Sequence, residues 1–272
     1  ILRRTGVVIG LGACLLAAGC QKEPAIPEHD TALLIAQSKF LEPEPGQIQG
    51  VARLVIGYPG TPEWTFDVVE DNDSDVFHKA MPFNLPGQEP GILTISANKA
   101  PRQALMKVWR CTAEGWTATV LWKAGFGGKF NRFRDVEIAD VTGDGRLDLV
   151  VATHDQGVIL VLQNTSTGWD ATEIARTEER TFVHEIEVGD VNGDGQLEIF
   201  ATPSAPNKID GTPQPGRIVM FQRTADGFTQ HVIDTFPARH VKEILVADVE
   251  KTGKPALYAV LEVGLPTTET AT

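Results

Sequence analysis

Beyond about residue 50, apolar and polar residues alternate with a period of two, and no stretch there carries the three-to-four spacing of an amphipathic helix. The clearest passage is RDVEIADVTGDGRLDLVVAT, Arg134 to Thr153: two alternating runs, DVEIAD and LDLVVA, around a polar turn. It predicts a strand, a sharp oxygen-rich turn and a second strand. The turn spaces Asp140, Thr142, Asp144 and Asp148 at loop positions one, three, five and nine. Gly143 and Gly145 supply the backbone angles such a turn needs. Side-chain oxygens at alternate positions point toward one centre, which suits a hard cation, calcium above all. A solvated Asp-Gly turn without metal is the bland alternative.

The passage recurs. HEIEVGDVNGDGQLEIFAT, His184 to Thr202, repeats it with Asp190, Asn192, Asp194 and Glu198. Val241 to Glu262 keeps the frame but retains only Asp248 of the acids, and Phe77 to Asn98 is a more worn copy with Asn84 at position one. Between these lie further paired runs, aligned on Trp64, Trp116, Trp169 and Phe228 at steps of 52, 53 and 59 residues. Each reads as strand, glycine-containing turn, strand. The best copy therefore predicts four antiparallel strands at 134–140, 147–153, 157–164 and 169–177. Four-stranded repeats of about fifty residues bury their faces by stacking on one another, which predicts an all-β fold: a β-propeller with about four blades present.

The segment D-x-[ND]-x-D-G-x-[LV]-[DE] followed by a β run ending in alanine, as in DVTGDGRLDLVVA and DVNGDGQLEIFA, resembles the FG-GAP or VCBS repeats of integrin-alpha-like propellers. The resemblance covers roughly residues 50 to 262 and implies structural calcium joining the two inner strands of a blade. The implied ligands are Asp140, Thr142, Asp144 and Asp148 with the Arg146 carbonyl, and Asp190, Asn192, Asp194 and Glu198 with the Gln196 carbonyl. Departures are the neutral Thr142, the longer Glu198, and the lost acids around Asn84 and Asp248, where no metal is expected. An EF-hand is excluded, since position twelve is Val151 in one loop and Ala201 in the other. The resemblance also implies a ring of about seven blades, of which this chain would be a part. The first outer strand pair, about 52–69, lacks inner partners upstream and the last inner pair, 241–262, lacks outer partners downstream: in part of a larger ring both ends stay open, and in the alternative, a four-bladed ring, 52–69 closes onto 241–262.

Residues 1–20 have the layout of a secretory leader: Arg3 and Arg4, an apolar run from Val7 to Ala18, then Gly19 and Cys20. Leu-Ala-Ala-Gly-Cys resembles a bacterial lipobox, which implies lipidation of Cys20, with Gln21 permissive for the outer membrane. Residues 21–49, with Pro24, Pro27, Pro43 and Pro45, read as a tether, and 50–272 as the propeller. With Cys14 lost in the leader and Cys20 lipidated, Cys111 is expected as a lone thiol. The formal charge of −12 becomes −14 without the leader arginines, which argues against nucleic acid or an anionic membrane surface as partner.

Six residues before each first loop position stands a base: His78, Arg134, His184 and Lys242. Repeat symmetry would set these at the start of each innermost strand, at the end away from the acidic turns, where they form a cationic ring for an anionic or polyhydroxylated ligand. The alternative is that each salt-bridges a neighbouring acid. His154 with Asp155, and the inserted Pro203–Gly216 loop, belong to the same end. No nucleophile-elbow, zinc-protease or phosphate-loop motif occurs, and GFGGKF at 125–130 has no helix after it. The function expected is a calcium-stabilised, lipid-anchored binding module for a carbohydrate or protein. The alternative is a propeller-fold carbohydrate-active enzyme such as a polysaccharide lyase.

Overall fold

The structure, a computed structural model, describes residues 9–10, 31–99, 102–128, 130–177, 181–206, 208 and 212–262. Every regular element among them is a strand, and the strands form four four-stranded antiparallel sheets, blades of propeller type, and one two-stranded sheet. The chain divides into two compact units, which meet in sequence between Gly125 and Arg134.

The first unit carries β1 (Ile9–Gly10), β2 (Leu33–Glu44), β3 (Gln47–Tyr58) and β4 (Thr65–Asp71) as one sheet in that order. Its second sheet is β5 (Ser74–Phe83), β6 (Gly91–Asn98), β7 (Ala104–Thr112) and β8 (Gly115–Ala124). The two sheets share a core in which Leu34, Leu54, Ile56 and Tyr58 meet Phe77, Ile92 and Trp109. Beside it lies a buried polar knot. Lys107 Nζ reaches Asp71 Oδ1 and Oδ2 at 2.9 and 3.0 Å and Asp73 Oδ2 at 2.9 Å, while the Ser74 hydroxyl donates to Asp71 at 2.9 Å. Nearly all the hydrogen-bonding capacity of this pair is met within the protein, the condition under which a buried ion pair is tolerated.

The second unit carries β9 (Phe133–Ala139), entering it at Arg134, β10 (Asp148–Thr153), β11 (Val158–Thr165) and β12 (Gly168–Arg176) as one meander. β13 (Phe182–Gly189), β14 (Glu198–Ser204), β15 (Gly216–Thr224) and β16 (Gly227–Phe236) form the next, and β17 (Val241–Ala247) pairs with β18 (Ala256–Leu261). Successive residues of a strand face opposite sides of its sheet, and β14 shows the consequence. Ile199 and Ala201 pack toward Val150 and Val161 of the preceding sheet, whereas Phe200 packs toward Val241 and Ile244 of β17. A strand covered on both faces reads as an unbroken apolar run, which is why LEIFAT and LDLVVAT lack clean alternation. β12 and β16 are largely exposed.

The outer hairpins repeat one turn. Thr112, Thr165 and Thr224 each donate a hydroxyl to the carbonyl of a glycine three residues on, at 3.0, 3.0 and 3.3 Å. Those glycines, Gly115, Gly168 and Gly227, all have positive φ. Trp116, Trp169 and Phe228 then face Cys111, Asn164 and Arg223 across the pair, as the repeat alignment predicts.

Four expectations are corrected. Leu33–Glu44, read as part of the tether, is a twelve-residue strand whose Leu34 and Ala36 enter the first core. It pairs with β3, so the strand pair at 52–69 does have an upstream partner. Trp64 does not occupy the place of Trp116 and Trp169: it lies ahead of β4, 49% exposed, stacked near Phe66. Cys111 is disulfide-bonded rather than a lone thiol. Cys20 and the rest of the leader, apart from Ile9 and Gly10, lie outside the described residues.

Candidate functional site: acidic turns and a basic cluster

The acidic turns join the first two strands of a sheet, and position one closes them. Asp140 accepts the N–H groups of Gly143, Asp144 and Gly145 at 2.7, 3.1 and 2.8 Å. Asp190 does the same for Gly193, Asp194 and Gly195 at 2.6, 3.2 and 2.9 Å. Asp248 accepts from Thr252 and Gly253 at 2.8 and 2.6 Å. Positions four and six have φ of 68° and 83°, 78° and 83°, and 55° and 82° in the three turns. In the third turn Lys251 holds the left-handed angle at a cost of about 1 kcal/mol. The turn is therefore a property of its first aspartate. That explains why Asp248 survives where the other acids are gone.

Positions three and nine meet each other. The Thr142 N–H and hydroxyl both donate to Asp148 Oδ2, at 3.2 and 2.9 Å, and Asn164 N–H donates to Asp148 Oδ1 at 3.0 Å. In the second turn Asn192 Nδ2 donates to Glu198 Oε1 at 2.5 Å and Val191 N–H to Glu198 Oε2 at 3.1 Å. Position five accepts the N–H of position seven: Asp144 from Arg146 at 2.9 Å, Asp194 from Gln196 at 2.8 Å.

Burial, with the charge of Asp144 adding to it, pushes the Asp148 carboxyl up. Burial, and then the like charges of Asp194 and Asp190, push Glu198 up. The Arg146 N–H, together with the Gln163 amide and the Arg146 guanidinium, pulls Asp144 down.

In chemistry the donors fit a hard cation: they are all oxygen, three of the four in each turn are carboxylates, and the like charges within a turn repel. In arrangement they are turned to the loops' own donors, and among the described residues no three His, Cys, Asp or Glu side chains already surround one point. The worn copy at Asn84 keeps a positive φ at Gly87 and no acid at positions three, five or nine.

At the other strand ends of the second unit the bases gather. Arg134, His184 and Lys242 stand near the starts of β9, β13 and β17. Lys242 Nζ lies 3.4 Å from His184 Nε2, 3.0 Å from His240 Nδ1 and 3.0 Å from Glu262 Oε2. The His184 ring is 5.1 Å from that of His240 and 6.5 Å from that of His154. His154 packs on Phe182 at 4.3 Å and meets Asp155 at 3.1 Å. Burial first, then Lys242, Arg134, His240 and His154, push His184 down to about 2. Burial and Lys242 also lower His240, against the pull of Glu262. Both imidazoles are thus neutral near pH 7, and the positive charge belongs to Lys242 and Arg134. The Pro203–Gly216 insert is closed by Ala205 N–H on the Pro215 carbonyl at 2.8 Å, and the Ala205 backbone borders His240. His78 occupies the corresponding strand of the first unit, half-buried on β5.

His240, Phe182 and Glu262 complete this cluster and are absent from the sequence-predicted set. A signal existed for two of them, because His240 precedes Lys242 by two residues as Phe182 precedes His184. Glu262 had none, since it arrives from beyond β18.

Residues 140–201, from the first position of one acidic turn to the strand after the next, match the model of the FG-GAP-like repeat. No curated protein matches the chain. Fold and repeat together define the class: an all-β protein of propeller-type blades carrying an FG-GAP-like repeat.

Proposed function

We propose that this protein is a non-catalytic binding module of the bacterial cell envelope, tethered through a lipid on Cys20 at the outer membrane, with its blades stabilised by calcium. Its ligand is a carbohydrate or a protein carrying anionic or polyhydroxylated groups. The observation that carries this reading is the gathering of Arg134, His184, His240 and Lys242 at one end of the second unit, in a chain whose formal charge is −12. The neutral imidazoles of His184 and His240 are buried and back the cluster, while the partly exposed Lys242 and Arg134 supply charge. The neighbouring Phe182 ring offers an apolar face, and the Pro203–Gly216 insert borders the cluster, as loops that carry specificity do.

The acidic turns are the candidates for calcium: Asp140, Thr142, Asp144 and Asp148 with the Arg146 carbonyl are one candidate ligand set, and Asp190, Asn192, Asp194 and Glu198 with the Gln196 carbonyl the other. The ion would neutralise like charge and fix the turn, so its binding energy adds to folding.

The test is binding to a panel of acidic and neutral glycans and envelope proteins, with chain length of each glycan followed in parallel. The triple variant Arg134→Ala, His184→Ala, Lys242→Ala should lose about tenfold or more in affinity, and no polymer should shorten. Shortening of an acidic polysaccharide would instead favour the lyase reading.

A further inference from the structure

We infer that the two acidic turns are not equivalent toward calcium: in the first, the guanidinium groups of Arg146 and Arg223 take the place of the metal, and the second turn is the calcium site of this chain. The inference rests on the proposal that calcium is the cation these turns serve.

Three observations carry it. Arg146 at position seven folds back over its own turn: Nη2 donates to Asp144 Oδ2, and Nε donates to the Asn164 carbonyl at 2.6 Å. Two fixed partners hold that guanidinium beside the position-five carboxylate, which would otherwise face the ion. Arg223 approaches from β15 of the next sheet and donates through Nη1 to the Thr142 carbonyl. It lies so close over the turn that a Cβ on Gly143 would come within 2.7 Å of Nη2. The second turn has no counterpart: position seven is Gln196, and among the described residues no Lys or Arg is bonded to Asp190, Asp194 or Glu198.

Each turn has three carboxylates. In the first they face two fixed positive charges, and in the second, among the described residues, they face no Lys or Arg. A divalent ion entering the first turn meets repulsion from both guanidiniums and must break the Arg146–Asp144 pair, whereas in the second it relieves repulsion that no Lys or Arg among the described residues offsets. Affinity in such loops follows net ligand charge and rigidity.

The experiment is calcium titration of the purified full-length protein by calorimetry, with thermal melting alongside to confirm folding. Wild type should bind one ion. Asp194→Asn should weaken that site by about tenfold or more, while Asp144→Asn should leave it within about twofold. Arg146→Gln, an exposed change, should create a second, weaker site. Two sites of equal affinity in wild type, or loss of binding in Asp144→Asn equal to that in Asp194→Asn, would overturn the inference and leave the calcium proposal standing. No calcium binding by folded wild type would overturn both.

Discussion

The carboxylate of Asp135 on β9 accepts the backbone N–H of Ile186 on β13 at 2.7 Å, joining two neighbouring sheets of the second unit. The register of β13 against β14 shifts between Val183 and Ile186, which releases that N–H from the strand ladder. Asp135 is 2% exposed and also accepts the Val136 N–H at 2.9 Å. The bulge and the acid therefore depend on each other. Removing the acceptor would leave a buried donor without its partner, the costly half of a hydrogen bond.

Asp135→Ala is accordingly expected to lower stability by about 1–3 kcal/mol. Asp135→Asn, whose amide oxygen can still accept, should lose less. Urea unfolding of both variants checks this. Equal losses would mean that the charge or the packing of Asp135 matters, and not the bond to Ile186.

Stability should fall as pH drops below about 6.5. His184 is held down to about 2 and His240 is lowered, while both titrate near 6.5 when unfolded. Below that pH the unfolded chain binds protons that the folded chain excludes, so the stabilisation is full above about 6.5. It declines toward acid by up to about 1.4 kcal/mol per pH unit for each excluded proton. The raised carboxyls of Asp148 and Glu198 act in the opposite sense, and only in the carboxylate range. Unfolding free energies at about pH 7.5 and about pH 5.5 should differ in wild type, and His184→Gln should flatten the difference by roughly one proton's worth.

Lipidation makes a chemical prediction about sulfur. The disulfide on Cys111 belongs to the unprocessed chain: cleavage before Cys20 removes Cys14, and a thioether on Cys20 uses its sulfur, so a mature lipoprotein carries Cys111 as its one thiol. Labelling of membrane-extracted protein should find one reactive thiol after unfolding, and Cys20→Ala should move the protein to the soluble fraction. Membrane retention of that variant, or a disulfide on Cys111 in mature protein, would contradict the anchor.

Much of the second unit was legible in the sequence. Its strands fall within about two residues of the alternating runs, because glycine turns and period-two patterning are local signals. β2 was missed because Pro43 and Pro45 and the acids Glu42 and Glu44 mimic a tether, while the pairing that makes it a strand comes from β3. Asp135 was missed because an acid alternating with Val136 reads as a solvent-facing position, whereas it is buried against a neighbouring sheet. The bases at Arg134, His184 and Lys242 were found by repeat arithmetic. His240 obeyed the same arithmetic at a different offset. The arginines over the first turn were not visible as partners, since Arg223 reaches Thr142 across 81 residues of chain.

Thermal melting of the purified protein with excess calcium and with EDTA tests most directly whether the acidic turns serve a cation that stabilises the blades. Calcium is expected to raise the melting temperature by several degrees, about 2–4 °C for each kcal/mol of binding energy at this size, and Asp194→Asn should abolish most of the rise. An unchanged melting temperature in EDTA, with Asp144→Ala and Asp194→Ala both neutral, would contradict it.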